Sequence, residues 1–274
     1  VHNEKHSHLK KKHNTMTNEV TSTPAFERVR HPFKARHLQL LSREQISPGF
    51  LRLTLVGELR DFASAGFDDH FKLILPQEGL EKPLLPQMVD GKPFVDGPRP
   101  TMRDYTPLRW TTNTLTVDFA LHEHGPATEW ARTAPMGSWV GVAGPRGSMV
   151  IAKDFDWYWL LADASGLPAV ERGLAELPAT AKVTVRLAIP EADRRPLQSP
   201  AQLDVQWVDS LTQALEALPP AEGHGFVWAA GEHTEMAALR KMAVAKGASP
   251  KRMRIAAYWK HGEVAHHEEL ADQE

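Results

Sequence analysis

With 274 residues, 42% of them apolar, the chain is long enough to fill one large or two ordinary cores. Its 32 lysines and arginines against 34 aspartates and glutamates leave no bulk positive field of the kind that nucleic-acid or anionic-membrane binding would use, so charge recognition has to be local. The absence of cysteine removes disulfides, thiolate zinc sites, cysteine-ligated iron–sulfur clusters and thiol nucleophiles together, and without a long apolar run or a leader pattern a cytoplasmic protein with no membrane insertion is expected.

Residues 1–24 form a polar lead-in with His2, His6, His8, His13 and Lys10-Lys11-Lys12. Four histidines suit a metal, but no apolar periodicity holds them in place, and a disordered segment is expected. From Phe26 the pattern turns to period two. Leu51, Leu53 and Leu55, then Phe71, Leu73 and Leu75, then Leu115, Val117, Phe119 and Leu121 alternate with polar or small residues. Half-buried strands of this kind, with Pro48-Gly49 and Asn113 as turn signals, predict an antiparallel barrel or sandwich over residues 25–153. Between Pro76 and Pro100, six prolines and three glycines mark a long excursion rather than a strand.

Arg103-Asp104-Tyr105-Thr106 follows that excursion. On an extended segment Arg103 and Tyr105 share a face and Thr106 points across the pleat. A cation, an aromatic face and a hydroxyl suit a large, flat, phosphate-bearing ligand such as a flavin, although exposed strands carrying Arg, Tyr and Thr are common. Gly125-Pro126-Ala127-Thr128 then reads as a helix start, where free N–H groups make an anion site, or as a helix that simply covers the open end of the barrel. Gly144-Pro145-Arg146-Gly147 closes a strand over Trp139 to Ala143 with a tight turn.

After Asp154 the period changes. Apolar runs at Trp157–Ala162, Val183–Ile189, Leu203–Val208, Phe226–Ala230 and Met253–Trp259 alternate with helical spacing over Leu167–Leu177, Leu211–Leu218 and Glu235–Lys246. Such a pattern predicts a doubly wound parallel sheet over residues 154–262, with ligands beyond the strands' carboxyl ends. Those ends read Asp163-Ala164-Ser165-Gly166, Ile189-Pro190-Glu191 and Ala230-Gly231-Glu232, none of them the Gly-x-Gly-x-x-Gly fingerprint. Residues 263–274, with His266-His267-Glu268-Glu269, are expected to be a solvated tail rather than a metal site.

A flavin-type β-barrel followed by a parallel-sheet nucleotide domain is the layout of the ferredoxin–NADP reductase superfamily. Within it the chain resembles the siderophore-interacting proteins, FAD-dependent ferric-siderophore reductases. The resemblance rests on Asp69-His70-Phe71-Lys72-Leu73, Arg103-Asp104-Tyr105-Thr106, Val117-Asp118-Phe119-Ala120-Leu121-His122, Gly125-Pro126-Ala127 with Trp130, and Gly144-Pro145-Arg146-Gly147. It continues through Asp163-Ala164-Ser165-Gly166-Leu167-Pro168-Ala169, Trp228-Ala229-Ala230-Gly231-Glu232 and Tyr258-Trp259-Lys260-His261-Gly262, in the family order from about residue 26 to 268.

What the resemblance implies is an FAD held by Arg103, Tyr105 and Thr106, with Asp118 and Phe119 beside them and His122, Gly125, Ala127 and Thr128 around the ribityl-diphosphate. Asp163, Ser165, Gly231 and Glu232 would border the nicotinamide of NADPH or NADH, and Tyr258 and Trp259 would end the last strand near the flavin, although two aromatics there also suit interface packing. Ser165 stands where the family has threonine and keeps the hydroxyl. The substrate, a bulky anionic ferric siderophore of catecholate or hydroxycarboxylate type, calls for a few unreactive cations: Lys72 and Lys260, with Arg109 and His261. Lys260 replaces an arginine and loses its bidentate fork. No catalytic acid or base and no protein iron site is implied: hydride passes to the flavin and single electrons pass to chelated Fe(III). Glu191 and Asp193 against Arg194 and Arg195 after the second parallel strand leave the choice of donor tilted toward NADPH. Two other functions stay open, a general flavin or ferric-chelate reductase and a non-redox siderophore-binding protein; in each case a monomer is expected.

Overall fold

The computed structural model describes residues 25–122, 125–263 and 268–270, so the lead-in of residues 1–24, and His266 and His267 of the tail, lie outside the described residues. Alternating apolar residues build the first half. β1 (Phe26–Arg30), β2 (Ala35–Ser47), β3 (Phe50–Val56) and β4 (Phe71–Ile74) precede the proline-rich excursion, which holds β5 (Gln87–Val89) and β6 (Lys92–Phe94). Then come β7 (Met102–Tyr105), β8 (Arg109–Trp110), β9 (Thr114–Ala120), helix α1 (Pro126–Thr133), β10 (Trp139–Ala143) and β11 (Gly147–Ile151). Seven of these strands make one antiparallel sheet in the order β7-β4-β10-β2-β3-β9-β8. Its inward residues, among them Leu38, Leu53, Leu73, Val117 and Val142, meet in a single core, so the sheet must curl. Tyr105 on the edge strand β7 packs against Phe119 of β9 with ring centroids 4.0 Å apart, which brings that edge round toward the other side of the barrel.

The excursion departs from expectation, because it contains the β5–β6 hairpin. Its turn is Asp90-Gly91, at φ of 50° and 75°, the backbone that this residue pair favours in a two-residue hairpin. Prolines on both sides obscured that signal.

The second half consists of β12 (Trp157–Asp163), α2 (Leu167–Glu176), β13 (Lys182–Ala188), β14 (Gln202–Trp207), α3 (Leu211–Ala217), β15 (Gly225–Glu232), α4 (His233–Ala245), β16 (Met253–Trp259) and β17 (Glu268–Glu269). The sheet order is β14-β13-β12-β15-β16-β17, parallel up to β16 and antiparallel at β17. Tyr158, Leu160, Val183, Val185 and Trp228 cover one face under α2, while Trp159, Leu161, Val227 and Ala229 cover the other under α3 and α4. Burial on both faces explains why these strands read as continuous apolar runs. Glu268 and Glu269 are exposed, as expected of a solvated segment, but they also add a strand: they pair with Ala257 and Ala256, and Glu269 Oε1 lies 2.8 Å from Arg254 Nη1 in a charge contact outside hydrogen-bond geometry.

The halves share a core. Phe50 and Phe67 of the barrel half join the cluster under α2, each burial worth roughly 1.5–3 kcal/mol. Polar ties reinforce it. Arg172 of α2 donates to Ser64 Oγ (2.7 Å) and to the Pro107 carbonyl (3.3 Å), and Asp193 accepts the Gly49 N–H at 2.6 Å. Asp68, before β4, is paired with Arg254 of β16.

The turn from β15 into α4 is set by Glu232, whose carboxylate accepts the backbone N–H groups of Thr234 (2.6 Å) and Glu235 (3.1 Å). Desolvation works to raise this carboxyl, but the N–H groups of Glu235, Thr234 and His261 outweigh it, so the group sits below its ordinary value. A carboxyl depressed by folding contributes stability that is present above its unfolded pKa and lost as pH falls through the folded one. In urea unfolding measured against pH, Glu232→Gln should therefore be less stable than the parent at neutral pH, with the two curves converging in acid; a constant offset would mean that the cap does not depend on charge.

Candidate active site

β12 and β15 are neighbours in the parallel sheet, yet the helices that follow them cover opposite faces, which leaves a crevice at their carboxyl ends. The barrel closes over this crevice and leaves a cleft of about 450 Å³ between the halves. From the barrel side Arg103, Tyr105 and Thr106 line it, with Gly125, Ala127 and Thr128 at the start of α1. Asp118 and His122, at the end of β9 and just beyond it, border the same space. From the sheet side come Ser165, Tyr258 and Trp259, and at the end of β16 Lys260 and His261.

Arg103 spends one Nη1–H on the Met102 carbonyl, at 2.7 Å, and has no acidic partner among the described residues. Tyr105 is half-buried, and burial pushes its phenol well above the ordinary value, so it presents a neutral ring. At the head of α1 the N-cap is Gly125, which has no side chain to accept from the first turn, and among the described residues no side chain caps the N–H groups there. On the sheet side Trp259 donates its indole N–H to Asp163 Oδ2 at 2.7 Å. Asp163 Oδ1 in turn holds the Ser165 N–H at 2.8 Å and its hydroxyl at 2.5 Å. Gly231 permits this packing, since a Cβ there would stand 2.8 Å from Asp163 Oδ2.

Several expected site residues take other places. Phe119 is fully buried in the barrel core and supports Tyr105 from behind. Asp163, Gly231 and Glu232 stand just behind the lining, where they set the positions of Trp259, Ser165 and α4. Arg109 is exposed on β8, outside the lining. Arg195 is engaged between the halves: it pairs with Glu171 at 2.6 Å and with Asp118 at 2.9 Å, and its guanidinium lies 4.8 Å from the Phe50 ring centroid. Arg194 is exposed and, among the described residues, reaches the Ile189 carbonyl alone, at 3.3 Å.

The two lysines do line the cleft, but each carries a carboxylate. Lys72 sits opposite Asp104 in the β4–β7 register and pairs with it at 2.7 Å, and Lys260 pairs with Glu263. The Glu263 hydrogen bond also raises the Lys260 ammonium above its ordinary value. Asp104 and His70 line the cleft as well, although their motifs had suggested no role for them. His70 was within reach of sequence reasoning, standing two residues before Lys72; the partnership of Asp104 with Lys72 required the strand register.

These residues fit a flavin dinucleotide. An uncommitted guanidinium and an uncapped helix start can take phosphate oxygens, a neutral tyrosine ring can lie along a flat heterocycle, and Trp259 supplies a second aromatic surface.

Comparison with known proteins agrees with this geometry. Residues 39–149 match the siderophore-interacting FAD-binding domain, and residues 155–262 match the siderophore-interacting protein domain. The chain is 37% identical over 254 residues to the NADPH-dependent ferric-chelate reductase of Escherichia coli, covering 88% of this chain and 99% of that one. It is 32% identical over 253 residues to the ferric vibriobactin reductase of Vibrio cholerae, covering 85% and 93%. Its fold superposes on a siderophore utilization protein from T. fusca with a TM-score of 0.80 and 31% identity, over 88% of this chain and 98% of that one. The chain belongs to the siderophore-interacting protein family of FAD-binding proteins, within the ferredoxin-reductase-like fold.

Proposed function

We propose that the protein is an NAD(P)H-dependent ferric-siderophore reductase. The observation that carries this reading is the interdomain cleft, where Arg103, Tyr105 and the open start of α1 face the carboxyl ends of β12 and β16. When bound there, FAD supplies the conversion of one hydride into two single electrons. Arg103 and the first-turn N–H groups of α1 hold its phosphates, Tyr105 and Thr106 position the ring, and Ser165 and Trp259 border the nicotinamide side. Holding donor and acceptor in one cleft replaces a chance encounter with a fixed approach. Ferrous iron binds hard oxygen donors more weakly than ferric iron, so reduction itself releases the metal.

The substrate end is less charged than its lysines suggest, because Asp104 and Glu263 offset Lys72 and Lys260. That observation favours, as a second reading, a broad ferric-chelate reductase over one specific for an anionic catecholate. Turnover of ferric citrate against that of a ferric catecholate, with an Fe(II) trap, separates the two. A protein that takes up FAD, is bleached by anaerobic NADPH and regains its colour with a ferric chelate fulfils the proposal; a colourless protein that takes up no flavin would instead be a carrier.

Arg103→Ala should weaken FAD binding tenfold or more in a fluorescence titration, in line with roughly 1.5–3 kcal/mol for a charge-assisted hydrogen bond, and Arg103→Lys should recover part of it. For the nucleotide, Arg194 is the cation left to meet a 2′-phosphate. Arg194→Ala should raise KM for NADPH severalfold with NADH unaffected, whereas Arg195→Ala should lower the urea midpoint and show no such preference. Asp104→Asn should release the Lys72 charge and lower KM for an anionic ferric chelate by a few-fold, while Lys72→Ala raises it; identical values for both variants would remove Lys72 from the substrate site.

A further inference from the structure

Under the reductase reading, on which this inference rests, the nucleotide comes to the sheet side of the cleft, and that side is organised by one carboxylate. Asp163 ends β12 and opens the one-turn helix Ala164–Gly166 that leads into α2. Among the described residues it accepts three hydrogens. Oδ1 takes the Ser165 N–H at 2.8 Å and the Ser165 hydroxyl at 2.5 Å, and Oδ2 takes the Trp259 indole N–H at 2.7 Å. A backbone N–H and an indole N–H can only donate. Both carboxylate oxygens therefore act as acceptors, and the hydrogen between Oγ and Oδ1 belongs to the serine.

Two glycines leave room for this arrangement. A Cβ on Gly231 of β15 would stand 2.8 Å from Asp163 Oδ2. A Cβ on Gly166 would meet that of Ala162 at 2.8 Å and that of Ala230 at 3.2 Å, so the turn after β12 can lie close on the sheet. The carboxylate thus ties the end of β12 to the end of β16 across β15, which lies between them.

That commitment fixes what a ligand meets. Ser165, Pro168 and Trp259 all line the cleft. A hydroxyl has one hydrogen and two lone pairs, so with its hydrogen on Asp163 the Ser165 oxygen keeps acceptor capacity alone. Trp259 has no second hydrogen-bonding group on its side chain, and Pro168 has no backbone N–H. Around Asp163 the wall is therefore two apolar rings and one acceptor, whereas Arg103 and the start of α1 on the barrel side are donors. Nicotinamide, which the proposed reaction brings to the sheet side, is a flat ring whose carboxamide carries two N–H donors.

We propose that Asp163 is a positioning residue for nucleotide recognition: by taking the side-chain hydrogens of Ser165 and Trp259 it makes this wall an acceptor that selects the amino group of the nicotinamide carboxamide. The Ser165 oxygen receives the N–H, and the Trp259 ring, held by its own N–H, bounds the site. A ligand with the same ring and no amino group leaves the serine oxygen without a donor.

The probe is the 3-acetylpyridine counterpart of NADPH, a neutral analogue in which a methyl group replaces that amino group. With FAD-loaded protein under anaerobic conditions, the concentration that half-saturates bleaching is measured for both nucleotides. The parent should need about fivefold more of the analogue, in line with one lost hydrogen bond. Ser165→Ala removes the acceptor, and Asp163→Asn has a single acceptor oxygen that cannot take all three hydrogens. Each variant should raise the requirement for NADPH and bring the ratio of the two nucleotides close to one. A loss of stability alone would shift both nucleotides together and leave the ratio unchanged. A readout independent of turnover is the Trp259 indole N–H resonance in flavin-free protein, assigned with Trp259→Phe. Asp163→Asn should move it and speed its exchange with solvent, while Ser165→Ala leaves it in place. Equal half-saturation of the parent by both nucleotides, or a ratio that survives in Ser165→Ala, would overturn the acceptor wall. A ratio that persists in Asp163→Asn, or an indole resonance indifferent to that substitution, would overturn the role of Asp163. In each of those outcomes NADPH still bleaches the protein and the reductase reading stands; parent protein that NADPH does not bleach would end that reading and this proposal together.

Discussion

The arrangement depends on a carboxylate that has no contact with solvent. Asp118, on the last long strand of the barrel, is held by Arg52 of the neighbouring strand at 2.7 Å and by Arg195 of the nucleotide half at 2.9 Å. An ionised carboxylate at zero exposure is tolerable only with such partners, and one of them comes from each half. Arg195 is itself balanced by Glu171 and covered by the Phe50 ring, so two cations and two anions form one partly exposed network around the buried Asp118. With Arg172 gripping Ser64, Asp193 holding the Gly49 N–H and Arg254 holding Asp68, the barrel and the sheet are joined at several points. The cleft between them therefore has a defined width, which electron transfer between bound partners needs.

That junction also explains which charges are available for function. Asp118 lines the cleft but is neutralised at the junction, and Lys72 and Lys260 are neutralised at the mouth. Among the described residues of the cleft, what stays uncommitted is Arg103, whose guanidinium makes one bond to a neighbouring carbonyl, and the start of α1, which no side chain caps. Anion-binding capacity is concentrated at Arg103 and the start of α1, while the two lysines of the cleft are offset by carboxylates.

The region behind β4 adds a second level of organisation. Four consecutive residues, Asp68 to Phe71, turn in succession to an interdomain ion pair, a hydrogen-bonded serine, two cavities and the barrel core. A short segment with that many obligations leaves little freedom to change any one of them alone, which is the physical content of the Asp-His-Phe-Lys motif in this chain.

Period-two alternation over Leu51–Leu55 and Leu115–Leu121 and the continuous apolar runs after Asp154 were enough to predict an antiparallel barrel followed by a parallel sheet, because both patterns follow from which faces are buried. The same alternation put Arg103 and Tyr105 on one strand, and the Gly-Pro signal placed the start of α1 within a residue. The Asp90-Gly91 hairpin was legible but lay among prolines. Side-chain partnership was not legible: that Arg195 belongs to Asp118 and Glu171 rather than to a nucleotide, that Lys72 faces Asp104, that Glu269 returns to Arg254, and that His70 separates two cavities are all contacts between residues distant in the chain. Periodicity records burial, which is a property of one segment; ion pairing and cavity walls are set by strand register and by the docking of the two halves, and only the tertiary structure decides those.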